Sequence, residues 1–226
     1  MAGPQDIFET YVTAETLDRE TDGWLAEIAP YQWRGVKPME VGATALLVVD
    51  MNQTFVEGGP LSTPGARAVL PRIAELVGAF RAAERPVLWA IQGHHSVASD
   101  RGEHLSAWWP TPILEGTPDV ALPAALAARP DEKIIMKRRY SAFYQTDLEL
   151  TLRCLHISQL VICGVLTNVC PFTTAFDAFF RDLDVYYPAD GTAAGNRELH
   201  VGALRSIAGW CGYVVRTREI MDWLKN

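Results

Sequence analysis

The chain is organised around the stretch Leu160-Val161-Ile162-Cys163-Gly164-Val165-Leu166-Thr167-Asn168-Val169-Cys170-Pro171-Phe172-Thr173-Thr174-Ala175. Its apolar start, bounded by Gly164, is typical of a buried strand, and residues 173–180 predict a helix after a tight turn. Cys170 therefore lies near a strand-to-helix junction, at the edge where open α/β sheets bind ligands. The positive end of a helix lowers a thiol pKa, so we expect Cys170 to favour the thiolate. The alternative is a small buried packing residue.

The composition is that of an ordinary globular protein. The 226 residues, 49% hydrophobic and 21% charged, can bury a large core in one domain. A net charge of −7 argues against a nucleic-acid or anionic-membrane surface. The longest apolar runs are too short to span a bilayer. The N-terminal residues lack the basic and apolar regions of a signal peptide, so we expect a cytoplasmic location.

The cysteines and histidines show no metal-binding spacing. None of the cysteines forms a CxxC pair, and in a reducing compartment we expect four free thiols, at Cys154, Cys163, Cys170 and Cys211. Three histidines are close in sequence, at positions 94, 95 and 104, but they match no usual zinc pattern. The sequence therefore predicts no metal and no other cofactor.

Apolar runs alternate with amphipathic stretches along the chain. Strands are predicted at residues 43–50, 85–91, 132–137, 160–163, 185–190 and 213–217, and helices at 16–28, 66–83, 120–128, 146–154, 173–180, 197–209 and 220–224. This alternation predicts a three-layer α/β/α sandwich with a mostly parallel, doubly wound, Rossmann-like central sheet. Residues 96–118 form a long loop of the kind that is often functional. We divide the chain into an N-terminal arm, residues 1–40, and a single domain, residues 41–226.

Three side chains of complementary chemistry follow or end predicted strands: Asp50, Lys137 and Cys170. The carboxyl ends of parallel strands lie at one edge of a sheet, where such folds place their chemistry. A carboxylate can take the proton of a thiol, and an ammonium favours thiolate while balancing the carboxylate. The alternative for Asp50 and Lys137 is a purely structural ion pair.

Four motifs in this order resemble the isochorismatase-like cysteine hydrolases over about residues 43–217. They are Leu47–Met51, Lys137–Phe143, Cys163–Cys170 and Thr174–Ala178. The resemblance implies a Cys-Asp-Lys triad in which Cys170 is the nucleophile, Asp50 the general base and later acid, and Lys137 the positive partner.

The resemblance also implies the geometry of the catalytic turn. Members of the family have a non-proline cis peptide before this turn, which here would join Val165 and Leu166. We expect it to direct the backbone N–H groups of Leu166 and Cys170 at the substrate oxygen, as an oxyanion hole. Pro171 stands where an aliphatic residue is more usual in the family, and its fixed φ suits a first helical position.

Residues at the same sheet edge are candidates for substrate binding: Phe55, Gln92, Arg138, Arg139 and Tyr140. A substrate carboxylate would suit one of the two arginines, the other being solvated. Trp108 and Trp109 are further candidates for a cavity wall. The acid and histidines that bind metal in nicotinamidases are not evident after Asp50, which argues against nicotinamide as the substrate.

These features predict a cysteine amidohydrolase acting on a small carboxamide or ureido molecule through a thioester. The alternative within enzymes is an isochorismatase-type hydrolase that cleaves a vinyl ether with Asp50 as the acid and Cys170 as a bystander. A third hypothesis is that the protein has no catalytic activity and serves as a binding protein. We predict a small-molecule substrate, no nucleic-acid or membrane partner, and a homo-oligomer, dimer or tetramer, to which the aromatic-rich arm contributes a contact.

Overall fold

A parallel β-sheet forms the centre of the computed structural model, which describes residues 4–58 and 61–225. Within those residues the strands are β1 (Thr44–Val49), β2 (Val87–Gln92), β3 (Lys133–Lys137), β4 (Gln159–Val165), β5 (Asp184–Pro188), β6 (Thr192–Ala193) and β7 (Tyr213–Val215). Their order is β3-β2-β1-β4-β5-β7, with β6 beside β4. Every pairing between them is parallel. The predicted fold class is confirmed, and among the described strands only the two-residue β6 was not predicted.

The helices cover both faces of this sheet. They are α1 (Leu17–Ile28), α2 (Gln53–Val56), α3 (Pro64–Ala82), α4 (Ala98–Arg101), α5 (Glu103–Trp108), α6 (Leu148–Cys154), α7 (Cys170–Phe179), α8 (Arg197–Trp210) and α9 (Thr217–Trp223). Every residue of β1, β2 and β4 is buried. Because alternate residues of a strand point to opposite faces, complete burial requires layers on both sides, which gives the three-layer sandwich.

Strands β1 and β4 meet at the point where the strand order reverses, and their backbones approach closely there. Val49 is paired with Gly164. Gly164 has a φ of +113°, and a Cβ at this position would lie 1.9 Å from the Val49 carbonyl oxygen. Glycine is therefore required where β4 ends, and the crevice beyond this pair is the usual ligand site of a doubly wound sheet.

Three local predictions were wrong. Residues 120–128 do not form a helix but two separate 3-10 turns, Pro118–Val120 and Ala124–Leu126, because Pro123 between them has no N–H to donate. Residues 96–118 are not structureless, since they contain α4 and α5. The helix expected from residue 173 begins three residues earlier, at Cys170 itself.

The described part of the N-terminal arm packs against the domain. Leu17, Trp24 and Ile28 of α1 are buried, and the ring of Trp24 lies 4.3 Å from that of His200 in α8. Trp33 is different, because 67% of its surface is exposed although its indole N–H donates to the carbonyl of Gly209. Homo-oligomer formation through the arm stays a prediction. In the part of the chain that the structure describes, no helix combines the length and the hydropathy needed to cross a membrane.

Candidate active site

Asp50 is the first residue after β1 and is fully buried. Its backbone N–H donates to the carbonyl of Ala90 at 2.9 Å, and its φ of +53° turns the chain out of the sheet. Aspartate tolerates this left-handed conformation better than most residues. Its carboxylate Oδ1 accepts a hydrogen bond of 2.7 Å from the backbone N–H of Gln92, which fixes the side chain over the sheet edge.

Lys137 ends β3 and is also fully buried. Its Nζ lies 2.7 Å from Asp50 Oδ2 and donates to Gln92 Oε1 at 3.1 Å and to the carbonyl of Arg139 at 3.4 Å. Burial by itself lowers the pKa of Lys137, but the opposing effects of the Asp50 carboxylate and the Cys170 sulfur outweigh it and bring the pKa above its usual value. The side chain is therefore an ammonium held in the protein interior by its partners.

Cys170 is the first residue of α7 and only 5% exposed. Its carbonyl accepts a hydrogen bond of 2.7 Å from the hydroxyl of Thr174, which in turn accepts one of 3.0 Å from the backbone N–H of Ala142. The start of α7 is thus tied to the segment that follows β3. This links the position of the thiol to that of Lys137, although the two are far apart in sequence.

Asp50 and Lys137 both act on the Cys170 thiol, and they shift its pKa in opposite directions. Burial and the Asp50 carboxylate raise the pKa of Cys170 far above its usual value, and the opposing effect of Lys137 is smaller. The expectation of a lowered thiol pKa was therefore wrong, because desolvation and the neighbouring anion outweigh the ammonium and the helix N-terminus. The resting site holds a protonated thiol beside a carboxylate that can accept its proton.

The peptide bond between Val165 and Leu166 is cis, as the resemblance implied. It lies at the end of β4, and the turn that follows it leads to Cys170. Leu166, Val169 and Cys170 all line one cavity. The two residues predicted to form the oxyanion hole thus lie in the wall of the same cavity.

A buried polar cluster holds this turn from beneath. The backbone N–H of Thr167 donates to the carbonyl of Ala193 at 2.8 Å, and the hydroxyl of Tyr187 donates to the Thr167 carbonyl at 2.7 Å. The Thr167 hydroxyl also lies 2.8 Å from Nδ1 of His200. Burial lowers the pKa of His200 to about 3, so the imidazole is neutral. The turn is therefore anchored to strands β5 and β6 and to helix α8.

The cavity in front of Cys170 encloses about 530 Å³ of empty space, including its opening to solvent. Its walls are mainly apolar and include Phe55, Leu61, Leu105, Ile113 and Val169. Of the predicted substrate-binding residues, the structure brings Phe55, Gln92 and Tyr140 to this cavity. A cavity with this mainly apolar lining and a few polar groups is suited to a small organic molecule.

The structure does not bring Arg138 and Arg139 to this cavity. The guanidinium of Arg138 is held by ion pairs with Asp100, at 2.9 Å, and with Glu115, at 2.6 Å. It also donates to the carbonyl of Gly93 at 2.8 Å. Arg139 donates to the carbonyl of Arg138 at 2.7 Å and lines a separate surface depression. Arg138 therefore fastens the segment after β2, and Arg139 faces the surface.

Residues 96–118 contribute to the cavity, and of these the sequence indicated Trp109 but not Arg101 or Thr111. Arg101 and Thr111 line the cavity, and Trp109 does so while donating its indole N–H to the Tyr140 hydroxyl at 2.7 Å. The neighbouring Trp108 is 78% exposed and lines the same depression as Arg139. For Arg101 and Thr111 the only available signal was the length of this segment, because nothing in its pattern shows that these side chains turn inward.

His94 is a buried member of the cavity wall. Its Nε2 lies 3.3 Å from Nε2 of Gln92, and its Nδ1 lies 3.5 Å from the carboxylate of Asp100. Burial lowers the pKa of His94, the Asp100 charge opposes this shift, and nearby arginines add to it. His95, by contrast, has a largely exposed side chain. Within residues 4–58 and 61–225, no group of three or more His, Cys, Asp or Glu side chains is arranged to hold a metal ion.

A doubly wound parallel sheet with a buried Asp, Lys and Cys cluster at its switch point defines a hydrolytic enzyme of the α/β class. The chain belongs to the isochorismatase domain family, whose family model matches residues 44–219.

Curated relatives in this family carry different names. Ureidoacrylate amidohydrolase RutB of Methylobacterium radiotolerans is 35% identical over 199 residues, which cover 78% of this chain and 77% of the relative. Enterobactin synthase component B of Escherichia coli K12 is 33% identical over 181 residues, which cover 78% of this chain and 62% of the relative. The family is thus shared by proteins with distinct roles.

Comparison with solved structures shows that proteins of this kind share the fold of this chain. A cysteine hydrolase from Pseudomonas syringae pv. phaseolicola superposes with a TM-score of 0.81 and 29% identity, covering 84% of this chain and 96% of the other. N-carbamoylsarcosine amidase from Thermoplasma acidophilum gives a TM-score of 0.68 and 25% identity, covering 77% and 96%. The architecture of this chain is therefore that of known cysteine hydrolases and amidases.

Proposed function

We propose that this protein is a cysteine amidohydrolase that cleaves the C–N bond of a small carboxamide or ureido molecule. The observation that carries the proposal is the buried Asp50–Lys137 ion pair, whose two charges act on the Cys170 thiol at the wall of an apolar cavity. The names of two relatives, ureidoacrylate amidohydrolase and N-carbamoylsarcosine amidase, describe enzymes that act on ureido-type molecules. Cys170 is the nucleophile in this mechanism, Asp50 the base, and Lys137 their positive partner.

The first half of the reaction forms a thioester. The thiol proton of Cys170 passes to the Asp50 carboxylate as the sulfur attacks the substrate carbonyl carbon. The backbone N–H groups of Leu166 and Cys170 donate to the oxygen that becomes negative. Asp50 then gives its proton to the leaving nitrogen, the C–N bond breaks, and ammonia or an amine departs. The ammonium of Lys137 stabilises the negative charge on the Cys170 sulfur or on the Asp50 carboxylate, whichever of the two is deprotonated.

The second half hydrolyses the thioester. A water molecule loses a proton to Asp50 as its oxygen attacks the thioester carbonyl, with the same N–H groups holding the negative oxygen. The C–S bond breaks, the acid is released, and the proton held by Asp50 returns to the sulfur. The thiol of Cys170 and the carboxylate of Asp50 are thereby regenerated, and the reaction as written consumes only the substrate and water.

The test combines intact-protein mass spectrometry with ammonia detection across small amides, ureido acids and isochorismate. We expect one amide or ureido probe to give ammonia and a transient covalent adduct. Both signals should be lost in Cys170→Ala and kept in Cys154→Ala, a control that removes an exposed thiol. Because the nucleophile itself is removed, the loss in Cys170→Ala should be at least about 10³-fold.

Two results would contradict the proposal. Ammonia release that survives in Cys170→Ala would show that the sulfur is not the nucleophile. Turnover of isochorismate that survives in Cys170→Ala but not in Asp50→Ala would replace the amidohydrolase with a vinyl-ether hydrolase, in which Cys170 has no chemical role.

A further inference from the structure

The guanidinium group of Arg101 has an unusual environment. Arg101 lines the same cavity as Cys170. Its Nε is buried without a hydrogen-bond partner, while its Nη2 donates to the backbone carbonyl of Trp109. Among the residues that the structure describes, no Asp or Glu lies within ion-pairing distance of it. A positive group with a buried, unused donor is costly unless an anion completes its contacts.

The acidic residues nearby are already paired with other side chains. Asp100 and Glu115 both pair with Arg138, and Asp50 pairs with Lys137. The guanidinium of Arg101 is therefore left at the cavity wall without a paired carboxylate among these residues.

The rest of the wall sets the shape of a matching ligand. Around Arg101 and Cys170 it is formed mainly by apolar side chains, with Gln92, Tyr140 and Thr111 as polar members. A guanidinium binds a carboxylate through two parallel charge-assisted hydrogen bonds. The wall is thus complementary to a small molecule with one carboxylate and a short apolar body.

We propose that Arg101 binds a carboxylate of the substrate, so that the substrate class is a small amide or ureido acid in which a short apolar linker separates the carboxylate from the carbonyl that is cleaved. The position of that carbonyl at Cys170 rests on the proposed function, whereas the anion site rests on the surroundings of Arg101 alone. Arg101 thereby takes the role that the sequence pattern offered to Arg138 or Arg139.

Matched probes in a protein that cannot turn them over test the anion site directly. Calorimetric binding is measured on Cys170→Ala with succinamate against butyramide, and with 3-ureidopropionate against propylurea. Each pair differs chiefly by the carboxylate. We expect the carboxylated probe to bind about 10- to 100-fold more tightly, which is the range of a charge-assisted hydrogen-bonded pair. Adding Arg101→Gln to Cys170→Ala should remove this difference in affinity and leave the affinity for the neutral probes unchanged. Arg101→Lys in the same background should keep part of the preference for the carboxylated probes.

Arg139→Gln is the matched control, because it removes the same charge close by without changing the wall of this cavity. Its effect on the affinity ratio should stay within about twofold, since a charge outside the cavity and partly open to solvent is screened by salt and water. Three results would overturn the inference: equal binding of charged and neutral probes before Arg101 is changed, equal weakening of both by Arg101→Gln, or an equally large effect of Arg139→Gln. Equal weakening would assign Arg101 a structural role through the Trp109 carbonyl.

The failure of this inference can be told apart from the failure of the proposed function. If ammonia release survives in Cys170→Ala, the cysteine mechanism fails, but a charge preference that depends on Arg101 still stands. If Cys170 is required and neutral amides are hydrolysed as well as carboxylated ones with no effect of Arg101→Gln on KM, the inference fails and the mechanism stands.

Discussion

Asp50 Oδ2 and Lys137 Nζ lie 2.7 Å apart, with both side chains completely buried. The pair joins the ends of β1 and β3, which are separated by β2. Gln92, the last residue of β2, links them, because its backbone N–H donates to Asp50 and its side-chain carbonyl accepts from Lys137. One polar cluster therefore holds the carboxyl ends of three adjacent strands together in front of Cys170.

Removing the charge of Lys137 alone should destabilise the fold. We expect Lys137→Met to lower the free energy of unfolding by about 3–5 kcal/mol, because it leaves the Asp50 carboxylate buried without its partner. The double variant Asp50→Asn/Lys137→Met should lose less free energy of unfolding than the two single variants lose together. Urea denaturation followed by circular dichroism measures each free energy. Arg153→Met, which breaks an exposed pair with Glu149, is the control and should cost no more than about 0.5 kcal/mol. Additive losses in the double variant would contradict the coupling.

The reactivity of Cys170 should rise when the neighbouring carboxylate is neutralised. The negative charge of Asp50 raises the thiol pKa and Lys137 lowers it, so Asp50→Asn should favour the thiolate. We expect alkylation of Cys170 by iodoacetamide at pH 8 to become at least about threefold faster, after allowing for the lower nucleophilicity of a less basic thiolate. Peptide mass spectrometry measures the rate, with the exposed Cys154 as an internal standard. An unchanged or slower rate would show that Asp50 does not control the thiol.

A side chain at Gly164 should disrupt the junction of β1 and β4. In Gly164→Ala the new methyl group would clash with the Val49 carbonyl, and the positive φ would be strained. We expect a loss of about 3 kcal/mol or more, from overpacking together with backbone strain. Gly202→Ala in α8 is the control, because nothing lies within 4 Å of its Cβ position, and it should stabilise by about 0.5–1 kcal/mol. Thermal unfolding compares the two, and equal effects would contradict the close approach.

The stability of the fold should fall in acid partly through His200. Its folded pKa is about 3, below the value of about 6.5 of an unfolded histidine. Between these values the unfolded chain binds the proton and the folded chain does not, so stability decreases as the pH falls. The contribution is up to about 1.4 kcal/mol for each pH unit.

We expect the loss of unfolding free energy between pH 6.5 and pH 4.5 to be smaller in His200→Phe than in the wild type, even though the variant is less stable at neutral pH without the contact to Thr167. Chemical denaturation at the two pH values measures the difference. His104→Gln, at an exposed histidine, is the control and should keep the wild-type pH dependence. The same loss in His200→Phe as in the wild type would show that His200 does not titrate in this range.

The sequence by itself determined the fold class and the meeting point of the reactive groups. Asp50, Lys137 and Cys170 each lie at the carboxyl end of an apolar run or just beyond it, and parallel strands bring such ends to one edge of the sheet. The family motifs also indicated the cis peptide before Leu166. The fold class and the position of these residues follow from the local hydrophobic pattern and from the direction of the strands, and both can be predicted from the sequence.

Only the tertiary structure decided the protonation of Cys170 and the arginine that faces the cavity. Burial and the Asp50 charge keep the thiol protonated, although a helix N-terminus and a lysine both favour its ionisation. Arg138 and Arg139 follow β3 directly, yet it is Arg101, at the end of the short helix α4 that the sequence pattern did not indicate, that lines the cavity. Desolvation and side-chain direction depend on what packs around a residue from distant parts of the chain, and neighbours in sequence do not specify this.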